Sequence, residues 1–187
     1  MTYRKNKYEE WVEKPERCKT DFEAFVKKRV VSEINESSVW MNRHMEKANH
    51  NLDFAGLVQE FHKTGIKERF PGQTFYDWAT IGYYYAIYHA GLALLAHAGY
   101  KSKSHMATLC GIILYYYHKN KSLEKRHIEI LGSIDKENVE QFIEAQGLRE
   151  RASYGVSVSF EERLCDLAKG KSVDFVNKAK ELLKPKV

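Results

Sequence analysis

Residues 76–100 read YDWATIGYYYAIYHAGLALLAHAGY, and this stretch decides the fold. From Trp78 to Tyr100 it carries no Asp, Glu, Lys or Arg. A membrane-spanning helix needs about 20 mostly apolar residues. Here Tyr83, Tyr84, Tyr85, Tyr88, His89, His97 and the glycines keep the run only modestly hydrophobic. An uncharged helix so rich in polar rings fits the middle of a bundle, walled by neighbours on most sides. The pattern predicts a helix from about Thr74 to Ala98, with Gly99 as its C-terminal stop.

The flanking segments supply the walls. Ser37 or Ser38 is a suitable N-cap for a long helix running to about His62. Met41, Met45, Ala48, Leu52 and Ala55 share one face of it, and Phe54, Val58 and Phe61 widen that face. Lys63-Thr64-Gly65 is expected to end the helix, and Phe70-Pro71-Gly72 marks the following loop. Beyond the central helix comes a basic loop, Lys101-Ser102-Lys103. Ser104 then caps a helix from His105 to His118, with Met106, Leu109, Ile113 and Tyr116/Tyr117 at helical spacing. Further helices are read around Leu123–Leu131, Lys136–Gly147 and Phe160–Leu183, the last interrupted at Gly170. Short loops between long amphipathic helices favour antiparallel neighbours, hence an all-α bundle over residues 37–187. Residues 1–36 read as an N-terminal extension with a short helix around Asp21–Lys28. The β-branched run at Arg29–Ile34 reads as an extended connector.

A hydrophobic fraction of 43% with 29% charged residues describes an ordinary globular chain, and 187 residues suit one domain. The formal charge of +5 is compatible with an anionic partner, but 30 basic residues stand against 25 acidic ones, so most are solvated. Cys18, Cys110 and Cys165 are far apart and odd in number, which builds neither a disulfide framework nor a paired-cysteine zinc motif. The start, Met1-Thr2-Tyr3-Arg4-Lys5, contains no apolar signal region, so a cytoplasmic location is expected. No cofactor is expected.

Three blocks together resemble a known family. The first is Met45-Glu46-Lys47-Ala48-Asn49-His50-Asn51-Leu52-Asp53-Phe54-Ala55. The second is the central helix with Gly99-Tyr100-Lys101-Ser102-Lys103-Ser104-His105, and the third is Leu148-Arg149-Glu150-Arg151-Ala152-Ser153-Tyr154-Gly155. Their order and spacing resemble the HEPN domain (higher eukaryotes and prokaryotes nucleotide-binding), over about residues 37–184. That resemblance implies an antiparallel bundle of four to five helices, usually dimeric, so a homodimer is expected. It also implies one of three roles: a ribonuclease, the partner of a minimal nucleotidyltransferase in a toxin–antitoxin pair, or a nucleotide-binding accessory domain. The ribonuclease branch carries an Arg followed after four to six residues by His. In that branch the pair supports metal-independent attack by the ribose 2′-hydroxyl, moving a proton and stabilising the phosphate. The matching place here is Arg149-x4-Tyr154. A phenol with a pKa near 10 is a poor base at neutral pH, so a non-catalytic member is expected, and an endoribonuclease only with a rearranged site; the other alternative is a structural dimerisation module whose aromatic helix faces drive association.

The ligand-binding candidates are Arg149, Arg151, Tyr154, Lys101, Lys103 and His105, with Arg149 and Tyr154 the weak catalytic ones. The arginines suit phosphate through bidentate pairing, or else surface ion pairs. Tyr154 reads as a ligand contact or, with more weight, a packing residue. The Lys101–His105 loop suits an anion at a helix start, or simple loop solubility. His89 reads best as a hydrogen-bonded interior histidine. His89, His97 and His105 are evenly spaced, but eight residues turn a helix by about 800°, so successive members do not share a face and no metal is expected. Tyr83-Tyr84-Tyr85 and Tyr115-Tyr116-Tyr117 are read as packing residues before base-stacking ones.

Overall fold

A computed structural model describes residues 7–71, 73–133 and 158–185. Among them the chain is mostly helical: α1 (Lys7–Glu13), α2 (Pro15–Lys27), α3 (Ser37–Phe61), α4 (Tyr76–His97), α5 (His105–Ile112), α6 (Lys125–Gly132) and α7 (Val158–Leu183). Two short strands, β1 (Val31–Glu33) and β2 (Tyr100–Ser102), pair antiparallel, with Val31 opposite Ser102 and Glu33 opposite Tyr100. The helix read at Lys136–Gly147 lies outside the described residues.

Helix α4, uncharged beyond Asp77 in its first turn, is central. It packs along α3 on one side and α7 on another; every residue from Ala90 to Ala96 is buried, whereas Trp78, Ile81, Tyr85 and Tyr88 leave an outward stripe on its first half. Gly82 allows the closest approach to α3, because a Cβ there would stand 2.9 Å from that of Ala55. Gly99 ends the helix in the left-handed region, φ 94°, where a side chain would be strained. Its carbonyl accepts from the Ile34 N–H at 2.9 Å, which ties the connector before α3 to the start of β2. No helix among the described residues is long and apolar enough to cross a membrane.

Four details depart from the sequence expectations. The N-terminal region holds two helices rather than one short one. Pro15 opens the second, where its missing N–H costs nothing and its φ suits a helix start. Helix α3 does not stop at Lys63; it widens into π-helical turns over His62–Ile66 and closes with one turn at Lys67–Arg69. Helix α5 likewise widens to π-helical turns over Ile113–Lys119. Gly170 does not interrupt α7. It faces open space on a helix held by Ala168, Phe175, Val176 and Ala179 from the core side, so tertiary packing overrides its local preference.

The main core brings together Trp11, Cys18 and Phe22 of α1 and α2, Ile87, Leu94 and Leu95 of α4, Leu109 and Ile112 of α5, Ile128 and Leu131 of α6, and Phe175 of α7. The N-terminal helices therefore contribute to the same core as the central one. A smaller cluster, with Ala55, Tyr76, Ala79, Tyr83, Cys165 and Ala168, joins the far end of α3 to α4 and α7.

Candidate nucleotide-binding face

Trp40, Arg43, His44 and Lys47 recur on α3 at spacings of three and four, so they share a face of that helix. The face meets His89 of α4. The Trp40 and His44 rings lie 6.1 Å apart between centroids at 30°, and His44 and His89 lie 5.5 Å apart at 23°. Tyr88 adjoins His89 at 5.8 Å and His105 at 5.4 Å. These five rings, all half-buried, form a continuous row across α3, α4 and the start of α5.

Cations stand at the Trp40 end. The Lys101 Nζ is 5.5 Å from the Trp40 ring centroid, and the Arg43 guanidinium carbon is 5.9 Å from it. Both fall within the range of cation–π attraction. Lys101 is placed by the β-pairing, opposite Ser32. Arg43, Lys47, Lys101 and Lys103 are exposed, and none forms an ion pair with a described residue.

His44 and His89 meet Nδ1 to Nδ1 at 3.2 Å. With the planes nearly parallel and the centroids 5.5 Å apart, the rings meet edge to edge. One Nδ1 must carry the proton and donate; the other must be the tautomer with a bare Nδ1. Burial, then Lys47, lowers the His44 pKa. Burial, then His44 and then Lys47, brings His89 down to about 4. The unfolded chain titrates near the ordinary value of about 6.5, so below that pH it holds more protons than the folded chain. Stability is therefore expected to fall as pH drops from about 6.5 towards 4, by about 1–2 kcal/mol after allowing for solvent screening. Melts at pH 7 and pH 4.5 test this: His89→Gln should lose less of its Tm over the interval than the wild type, and an equal loss would contradict the assignment.

The structure brings together only part of the expected site. Lys101 joins the ring row through Trp40, and His105 joins it through Tyr88. The His105 Nε2–H donates to the Leu131 carbonyl at 3.2 Å, which removes that nitrogen as a proton acceptor. Ser104 caps α5 as expected, its hydroxyl accepting from the Ala107 N–H at 3.3 Å. Lys103 is exposed nearby, and among the described residues no ring or ion-pair contact ties it to the row. Arg149, Arg151 and Tyr154 lie outside the described residues. His89 is hydrogen-bonded as expected, though half-buried rather than interior. His97 lies elsewhere, its Nδ1–H donating to the Tyr116 hydroxyl at 2.8 Å, while that hydroxyl donates to the Leu94 carbonyl. Trp40, Arg43, His44 and Tyr88 were missed. The signal that could have found them is the W-x2-R-H-x2-K spacing on α3, which places a ring and three polar or cationic groups on one helical face.

The tyrosine triplets divide as consecutive helical residues must. Tyr83 and Tyr116 are buried, while Tyr84, Tyr85, Tyr115 and Tyr117 are half-buried. At the far end of α3 the Tyr83 hydroxyl donates to Gln59 Oε1 at 2.7 Å, and Gln59 Nε2 donates to Asp166 Oδ1 at 2.6 Å. Burial, then the Glu162 carboxylate, pushes Tyr76 up to about 12. This network cross-links α3, α4 and α7, a structural task. Among the described residues no group of three or more His, Cys, Asp or Glu is arranged to hold a metal.

Half-buried rings flanked by exposed cations can take a base by stacking and a phosphate by charge. Comparison with family models, with curated proteins and with solved structures gives no match.

Proposed function

We propose that the chain is a non-catalytic, HEPN-type helical-bundle protein that binds a nucleotide or the phosphates of single-stranded RNA. The observation that carries this reading is the row Trp40–His44–His89–Tyr88–His105 with Lys101 and Arg43 over its Trp40 end. It adds a ring platform to the basic loop that the family resemblance pointed to. The chain acts as a homodimer or as the partner of a minimal nucleotidyltransferase, in the manner of a toxin–antitoxin pair. Support for an interface comes from Phe54, Leu57 and Phe61, which lie on one side of α3 and are 47%, 65% and 39% exposed. Burying such side chains against a partner gains roughly 1.5–3 kcal/mol each.

Calorimetric titration with ATP and with a short oligouridylate tests the binding. Oligouridylate is expected to bind more weakly as salt rises, with log K falling by about 0.7 per phosphate contact for each unit of log salt. Total RNA incubated with the protein should stay intact. Absence of binding by either ligand at millimolar concentration, alone or in a partner complex, would overturn the proposal.

A further inference from the structure

Cys18 of α2 and Cys110 of α5 touch in the core, although 92 residues separate them in sequence. Both are 0% exposed, and their sulfurs are 3.9 Å apart. Each thiol also reaches the other residue's carbonyl at 3.4 Å, so the two S–H groups and two carbonyls form one compact reciprocal set. Cys165 provides a contrast within the same chain. It is equally buried, but it lies in the smaller cluster at the far end of α3, among Ala55, Tyr76, Tyr83 and Ala168, and not with the other two cysteines.

We propose that Cys18 and Cys110 are a redox modification site: a peroxide converts them to a disulfide that staples the N-terminal helices to the bundle, and a thiol reductant reverses it. In the first step one sulfur, as thiolate, attacks a peroxide oxygen. An S–O bond forms, the O–O bond breaks, hydroxide leaves, and the cysteine becomes a sulfenic acid. In the second step the other sulfur attacks the sulfenic sulfur; the S–S bond forms, the S–O bond breaks, and water departs. Two thiols and one hydrogen peroxide thus give one disulfide and two waters, the sulfurs losing the two electrons that the peroxide gains. The sulfurs must close from 3.9 Å to about 2.05 Å, a side-chain adjustment at two residues already in contact.

The hydrogen bond with the Cys18 thiol, then burial, holds Cys110 well above the ordinary thiol range, which keeps its resting thiol inert. The first step therefore waits on a local opening of α2 from α5. Once one sulfur is oxidised, the thiol it meets is its neighbour, which favours the bridge over further oxidation. A bond closing so long a loop restricts the unfolded chain strongly.

The test is exposure of the folded, fully reduced chain to hydrogen peroxide, then alkylation in denaturant and peptide mass spectrometry. The expected result is a Cys18–Cys110 linked peptide with Cys165 alone alkylated, where the reduced chain shows all three free cysteines. The oxidised protein should melt about 5–10 °C higher, and a reductant should restore the original Tm. In Cys110→Ser, Cys18 should proceed to the sulfinic acid. Sulfinic acids at Cys18 and Cys110 of the wild type would overturn the proposal. So would a bridge to Cys165, three alkylated cysteines after oxidation, or an unchanged or lower Tm.

Discussion

Trp40→Ala should weaken binding of a short single-stranded RNA by about five- to 150-fold. Base stacking on an aromatic side chain is worth about 1–3 kcal/mol per base, and each 1.4 kcal/mol is a factor of ten. Trp40 also orients two cations, since Lys101 and Arg43 both approach its ring. Removing the indole takes away the platform and frees both side chains. Trp40→Phe should recover part of the loss, because a smaller ring still stacks. Lys101→Ala should act differently: it removes a phosphate contact and flattens the salt dependence, while stacking persists. The ring is half-buried at one end of α3, so the fold should survive all three changes. Titrations at two salt concentrations separate the two effects. Equal affinity in Trp40→Ala and wild type would remove the ring row from the account.

Trp11→Ala should cost about 3–5 kcal/mol of stability and lower the Tm by about 6–20 °C. Trp11 is 0% exposed and belongs to the same cluster as Ile87, Leu94 and Leu109 of the central helices. Its indole N–H donates to Asp21 at 2.9 Å, and its carbonyl accepts from the His118 Nε2–H at 2.8 Å. Truncation would open a cavity and leave Asp21 to Arg17 at 3.3 Å and Lys7 at 3.8 Å. Trp11→Phe should fall between the two, since it keeps most of the ring but loses the donor. Denaturant melts of the three proteins measure this. A Trp11→Ala protein as stable as wild type would mean that the N-terminal helices are dispensable to the core.

Much of the helical frame was legible because hydrophobic period and capping speak locally. The uncharged run gave α4, Ser104 gave the start of α5, and Gly99 gave the end of α4 in the left-handed conformation. What failed to show was set by tertiary contact. Gly170 breaks a helix only where nothing holds it, and α7 is held by its buried side. Trp11, Cys18 and Phe22 looked like parts of a charged extension, because the residues they meet, Tyr100, Cys110, Tyr115 and His118, lie roughly eighty to a hundred residues away in β2, α5 and the turns after it. The π-helical turns after α3 and α5 have no sequence signature that separates them from a helix end.

The candidate face was half legible for the same reason. Lys101 and His105 declared themselves through a basic loop and a helix cap. Trp40, Arg43 and His44 carry an equally local pattern, but their meaning depends on His89 lying opposite, a contact between helices. His89 could be read as hydrogen-bonded; that its partner is a second neutral imidazole could not.

The ring row is tested most directly by the three indole N–H resonances, one for each Trp of the chain. A titration of isotopically labelled protein with oligouridylate should shift the Trp40 signal. Trp11, buried against Asp21, and Trp78, 58% exposed near the other end of α3, should stay in place. Movement of Trp78 alone, or of none of the three at millimolar oligouridylate, would contradict the account.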